Sequence, residues 1–310
     1  MTLWQRVPVL VRAPIAGLVV SGIGVTVWGG LGSFPGLAGL NLRYLPQVPW
    51  AFVPMALFLY VYLRYLNGSW WPRRTSQARR VNLRANPLSA DLWASSLFAG
   101  FIGLAALVPL STIMGRLFAL PSDAQQATIP AAMPPLTVFL LLVMSSLVAG
   151  VTEEAGFRGY MQGAIERRHG FLPALLVSGT AFGLAHFNHH AAVTLQMLPF
   201  YFAVSAIYGG LASATNSTLP GMALHAGGDL WSMTRQWATA QPYWQLSPAP
   251  ASPLIWNTGI DAAFITSVAS FLLLAGITTA AIIGVARQAQ EDPSSKLQDP
   301  NSKNAVDLRS

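Results

Sequence analysis

The sequence predicts an all-α polytopic membrane protein of about eight transmembrane helices with both termini in the cytoplasm. Three observations carry this prediction. Of 310 residues, 53% are apolar and only 9% charged, where a soluble domain carries about a quarter charged residues. Apolar stretches long enough to cross about 30 Å of hydrocarbon fall near 13–31, 48–66, 92–110, 136–160, 171–190, 194–212, 219–236 and 262–285. With the N-terminus inside, 15 of the 18 basic residues lie in cytoplasmic segments, and only Arg43, Arg116 and Arg235 lie opposite. That split follows the positive-inside rule.

The same composition excludes whole classes. Mean hydropathy of +0.47 rules out disorder over most of the chain, which needs low hydrophobicity and high net charge. The absence of cysteine removes disulfides, thiolate metal sites and cysteine nucleophiles. A net charge of +7 reads as cytoplasmic loops facing the bilayer, and no nucleic-acid partner is expected.

Taken in order, residues 1–134 form an N-terminal unit of three spans. The first apolar run is too long for a cleaved signal and lacks a small-residue cleavage site, so it reads as a retained anchor. Within this unit the basic, Trp-containing stretch 64–91 reads as a connector lying in the headgroups. Residues 135–236 form a helical core bearing intramembrane polar groups. Residues 237–286 supply a Pro-rich extracytoplasmic loop and the last span, and 287–310 a disordered cytoplasmic tail. Trp4, Trp50, Trp70, Trp71, Trp93, Trp237 and Trp256 fall at or near span ends, as an aromatic belt requires.

Most acidic residues sit where water is available, and Asp261 marks the start of the last span. Glu153, Glu154 and Asp229 do not, and His186 and His225 lie inside spans as well. Ionisable groups at membrane depth cost at least about 2.5–3.5 kcal/mol each, so they are functional candidates. In Glu153-Glu154-Ala-Gly-Phe-Arg158, Glu154 and Arg158 stand at i,i+4 on one helical face. That pairing leaves Glu153, turned about 100° away, unpaired and suited to general-base work. A structural Glu–Arg pair is the plainer reading of the same residues.

Phe182-Gly-Leu-Ala-His186 follows on the fifth span. Spans four and five form a hairpin turning near His169-Gly170, and Glu153 and His186 are nearly equidistant from the turn, about 24 Å along each helix. Gly159 and Gly163, with Gly179 and Gly183, make two GxxxG patterns that would let these two backbones approach. His186 alone could simply bond a backbone carbonyl. His225-Ala-Gly-Gly-Asp229 on the seventh span again places two ionisable groups on one face, and a structural His–Asp bond is its plainer reading. His189 and His190 read as interfacial.

These three elements, in this order, resemble the CAAX prenyl protease and bacteriocin-processing family of intramembrane proteases, known by E-E-x-x-x-R, F-x-x-x-H and H-x-x-x-N or H-x-x-x-D. The similar region covers roughly 135–236. The resemblance implies hydrolysis of a peptide bond in a membrane-associated peptide or protein, with the lipid bilayer as surroundings. It implies Glu153 as base on a water assisted by His186, His225 and Asp229 at the oxyanion, and Arg158 holding Glu154. Asp229 stands where the family often has Asn, which leaves its role open between oxyanion donor, orienter of His225 and metal ligand. Zn²⁺ held by Glu153, His186 and His225, or metal-free activation of water by the same groups, are both open. The excess of Arg over Lys points to a bacterial plasma membrane. Two rivals stand beside this reading: a catalytically silent scaffold or bacteriocin-immunity factor of the same fold, and a transporter or proton relay.

Overall fold

The computed structural model describes residues 6–118, 133–186, 191–239 and 253–292. They form an all-α protein whose single departure is a two-residue antiparallel pairing, β1 (Gly30–Leu31) with β2 (Phe34–Pro35). The long helices are α1 (Val9–Gly29), α3 (Phe52–Leu66), α5 (Ala90–Leu117), α6 (Pro135–His169), α7 (Phe171–Ala185), α8 (Ala191–Thr215), α9 (Leu219–Thr239) and α11 (Ala262–Glu291). Short helices α2 (Leu37–Arg43), α4 (Ser76–Leu83) and α10 (Ile255–Thr258) lie between them.

Among the described residues, five segments are long and apolar enough to cross a membrane: α1, α5, α6, Leu195–Thr215 of α8, and α11. The other three of the eight expected stretches are helical but fall short on one count. Helices α3 and α7 are apolar but only 15 residues long, about 22 Å at 1.5 Å per residue. Helix α9 has the length, but His225, Asp229 and Arg235 lower its hydropathy.

The hairpin at the centre turns where expected. Helix α6 ends at His169, Gly170 takes φ +81° and α7 begins at Phe171. Glycine serves there because a side chain rarely tolerates that backbone. Helix α1 crosses α6 in close contact, since a Cβ on Gly17 would stand 2.7 Å from the Gly156 carbonyl oxygen.

Four expectations are corrected here. The GxxxG glycines do not seat α6 against α7. Gly159 faces the Asn82 and Leu83 carbonyls, Gly163 the Arg84 side chain, Gly179 the Phe202 ring, and Gly183 Leu198 and Tyr201. The connector 64–91 is not a strip lying wholly in headgroups either. Its helix α4 docks under α6, and the Thr218 hydroxyl and amide donate to the Leu83 and Arg84 carbonyls at 3.0 and 2.8 Å. Two of its arginines are buried because protein oxygens replace water around them. Arg79 donates to the Tyr65 and Trp70 carbonyls, both at 2.7 Å, and to the Pro72 carbonyl at 3.1 Å. Arg84 pairs with Glu166 at 2.9 Å and donates to the Ala212 carbonyl, so Glu166 is held in protein rather than solvated. Last, α11 runs through 287 to Glu291 instead of ending where the tail was expected to begin. Ser95 donates to Gln288 and Ser89 to Asp292, which tie its end to α5. At the opposite end Arg116 pairs with Asp261 at 2.9 Å, and Asp261 caps α11 by accepting from the Phe264 amide. The rest of the tail, most of the loop 238–254, and His189 and His190 lie outside the described residues.

Candidate active site

The site is built on α6, α7, α8 and α9, and it begins with an irregular stretch of α6 itself. From Glu154 to Gly163 the helix is a π-helix. Its i→i+5 bonds widen the turn and are a frequent mark of functional sites. A wider turn separates neighbouring residues by a smaller angle than an α-helix does. Glu153 and Glu154, expected to diverge, therefore both reach the imidazole of His225 on α9.

His225 is the hub. Its Nδ1 lies 2.9 Å from Glu154 Oε1, and since a carboxylate only accepts, Nδ1–H is the donor. Its Nε2 faces the other way, 3.6 Å from Asp229 Oδ2 and 4.0 Å from Glu153 Oε2. Arg158 Nη1 stands 3.1 Å from the same Glu154 Oε1, and Nη2 donates to the Ser205 hydroxyl at 3.2 Å. Among the described residues, Glu153 Oε2 and Glu154 Oε2 have no hydrogen-bond partner. A Cβ on Gly221 would lie 2.9 Å from Glu154 Oε2, so glycine is what makes room for that carboxylate.

Burial grades across the cluster. Glu154 and Arg158 are fully enclosed, the His225 side chain is 8% exposed, Glu153 15% and Asp229 32%. The dry end holds an ion pair and the open end holds Glu153, Asp229 and the His225 Nε2 edge. An ion pair in so dry a place needs further bonds; His225 supplies one to Glu154 and Ser205 one to Arg158, while Arg158 Nε and Nη1 have no hydrogen-bond partner among the described residues.

His186 terminates α7. Its Nδ1 lies 2.8 Å from the Phe182 carbonyl oxygen; a carbonyl accepts, so Nε2 is the nitrogen left with a lone pair. The ring stacks on Tyr201 at 4.6 Å between centroids. Phe182 joins the two halves: its ring lies 4.4 Å from the Arg158 guanidinium carbon, 4.6 Å from the His186 ring and 6.2 Å from the His225 ring. Arginine over an aromatic face is a favourable, weakly hydrated contact suited to a dry site.

Three residues of the site went unnoticed in the sequence. Tyr201, Ser205 and Tyr208 line one face of α8; Tyr201 stacks on His186, Ser205 accepts from Arg158, and Tyr208 stacks on His225 at 5.3 Å. Their i, i+4, i+7 spacing of hydroxyls in an apolar span was the available signal.

The described residues contain no group of three His, Asp or Glu side chains able to hold a metal ion. Zinc on Glu153, His186 and His225 therefore finds no support in the donor set, and no step below passes through a metal.

Fold and site define an integral membrane protein of apolar helices enclosing an acid–histidine cluster. Residues 135–231 match the family model Rce1-like, described as type II CAAX prenyl endopeptidase Rce1-like. The region that carries the cluster is thus similar to a protease family, that of the CAAX prenyl endopeptidases. No curated protein and no solved structure matches the chain significantly.

Proposed function

We propose that the chain is an intramembrane endopeptidase that cleaves a peptide bond in a membrane-associated protein or peptide. The observation that carries the reading is the pairing of a half-open carboxylate, Glu153, with the Nε2 edge of an imidazole whose other nitrogen is tied to a buried ion pair. Water enters at the open end. Glu153 takes its proton as the oxygen attacks the scissile carbonyl, and passes that proton to the departing amine as the C–N bond breaks. His186 Nε2 orients the water. His225, in its charged form, donates from Nε2 to the oxyanion, and Asp229 at 3.6 Å orients the imidazole. Glu154, Arg158 and Ser205 hold His225 in place. In this reading the protein crosses a bacterial plasma membrane with eight helices and keeps both termini in the cytoplasm, an orientation that its basic-residue split supports.

The test is cleavage of a peptide library by the purified protein in detergent, for wild type, Glu153→Gln and His186→Ala, with and without chelator. Wild type cleaves, both variants lose cleavage and chelator has no effect. Wild-type cleavage by both variants overturns the mechanism. Chelator inhibition reversed by zinc puts a metal in place of the base. A protein that never cleaves but retains its cellular effect in Glu153→Gln is a silent scaffold.

A further inference from the structure

At the C-terminal end of α3 a pocket of about 280 Å³ is walled by Phe58, Val61, Tyr62, Tyr65, Trp70 and Trp71. It is almost wholly aromatic, and Trp70 and Trp71 remain 49% and 76% exposed at its mouth. The buried Arg79 builds it: by gathering the carbonyls of Tyr65, Trp70 and Pro72 it folds the Trp70-Trp71 turn back onto the helix end, while its guanidinium covers the Tyr65 ring at 4.4 Å. Exposed arginines flank the lining residues in the chain. Arg64 stands on α3 with its guanidinium 5.9 Å from the Tyr60 ring, Arg73 and Arg74 follow Trp71 after Pro72, and all three are exposed. None of them has a carboxylate within ion-pair distance among the described residues. No acidic residue precedes Asp91 in the chain.

An apolar slot at the end of an apolar helix, flanked in the chain by three exposed arginines that pair with no carboxylate among the described residues, matches one kind of molecule. We infer that this is a binding site for an anionic phospholipid, with a stretch of acyl chain against Phe58, Tyr62, Tyr65 and the two tryptophans, and the phosphate on Arg64, Arg73 and Arg74. The volume is just under the roughly 300 Å³ of the smallest ligand pockets, so it takes part of a chain and leaves the rest in the bilayer. Arginine suits the headgroup because its planar fork meets phosphate oxygens two at a time, and a basic cluster beside a membrane-crossing helix selects anionic lipid. The site also reaches the rest of the protein. Arg79 and Leu83 share helix α4, whose end docks on Gly159 of the π-helix and on Thr218 at the start of α9.

The experiment reconstitutes the full chain in phosphatidylcholine vesicles containing a minor fraction of either phosphatidylglycerol or phosphatidylcholine brominated on its chains, and reads tryptophan quenching. The part lost in Trp70→Phe/Trp71→Phe belongs to this pocket. Brominated phosphatidylglycerol quenches that part preferentially, unlabelled phosphatidylglycerol reverses it, and soluble glycerol phosphate does not. The preference falls about fivefold for each arginine removed, so that Arg64→Gln/Arg73→Gln/Arg74→Gln abolishes it, while the corresponding lysine variant keeps most of it. Equal quenching of wild type by the two lipids overturns the inference, as does a preference that survives the glutamine variant. Reversal by glycerol phosphate makes the site one for free phosphate and overturns the lipid assignment.

Discussion

Glu154 Oε1 serves two partners, Arg158 Nη1 at 3.1 Å and His225 Nδ1 at 2.9 Å. One buried oxygen therefore joins the π-helix of α6 to α9 across 71 residues of sequence. It also decides which edge of His225 meets the open end of the cluster. The two adjacent glutamates are thus unequal: Glu154 is enclosed and bonded through Oε1, while Glu153 is partly exposed and its Oε2 has no hydrogen-bond partner among the described residues.

This inequality separates their substitutions. Glu153→Gln keeps the shape and removes the base, so cleavage falls about 10²–10⁴-fold with little change in thermal unfolding measured in detergent. Glu153→Gln cleaving within a few-fold of wild type assigns the base elsewhere.

Glu154→Gln acts on stability as well. It leaves the Arg158 charge buried without its counter-ion, which costs about 3–5 kcal/mol and shows as a large drop in midpoint temperature. Glu154→Gln with Arg158→Met removes both charges and recovers much of that stability, yet restores no cleavage because His225 has lost its anchor. Recovery of both properties together makes the pair purely structural.

The contrast explains what could be read in the sequence. The helices were legible because runs of about twenty apolar residues are rare outside membranes. Glu153, Glu154, Arg158, His186, His225 and Asp229 stood out because charge inside such runs is costly. The π-helix left no mark, since i→i+5 bonding has no residue signature and Glu154–Arg158 looks the same at i,i+4 in either helix. The Glu154–His225 bond depends on how α9 packs. Ser205 and Tyr208 were hidden by being uncharged. Arg79 and Arg84 misled because arginines beside a span normally lie in headgroups; only the fold reveals the carbonyls that take the place of water.

The pairing of Arg116 with Asp261 gives a pH signature away from the cluster. The bond from Arg116, with a further one from the Phe264 amide, holds the Asp261 carboxyl below its usual value of 3.8. A depressed folded pKa adds stability that is full above the unfolded value and is lost as pH falls through the folded one. Wild type therefore loses an increment of unfolding temperature below about pH 4 that Asp261→Asn, which can still cap α11, lacks at every pH. Identical acid profiles for the two proteins remove Asp261 as the source.

Gly221 tests the geometry with the least chemistry. A methyl group there would stand 2.9 Å from Glu154 Oε2, closer than the contact allows, so the carboxylate must move. It is the tip of a side chain, so the fold loses little, and alanine's better helix propensity offsets up to about 1 kcal/mol. The displaced carboxylate, however, carries His225 with it through a 2.9 Å bond, and an error of about 1 Å in a reacting group can cost about 10²-fold in rate. Gly221→Ala should therefore unfold near the wild-type temperature while kcat drops by about that factor and KM stays close to its original value. Gly227→Ala, six residues on in the same helix with nothing within 4 Å of its added carbon, is the matched control and keeps wild-type cleavage. Equal rates for the two variants mean that His225 does not need Glu154 to hold it for the reaction.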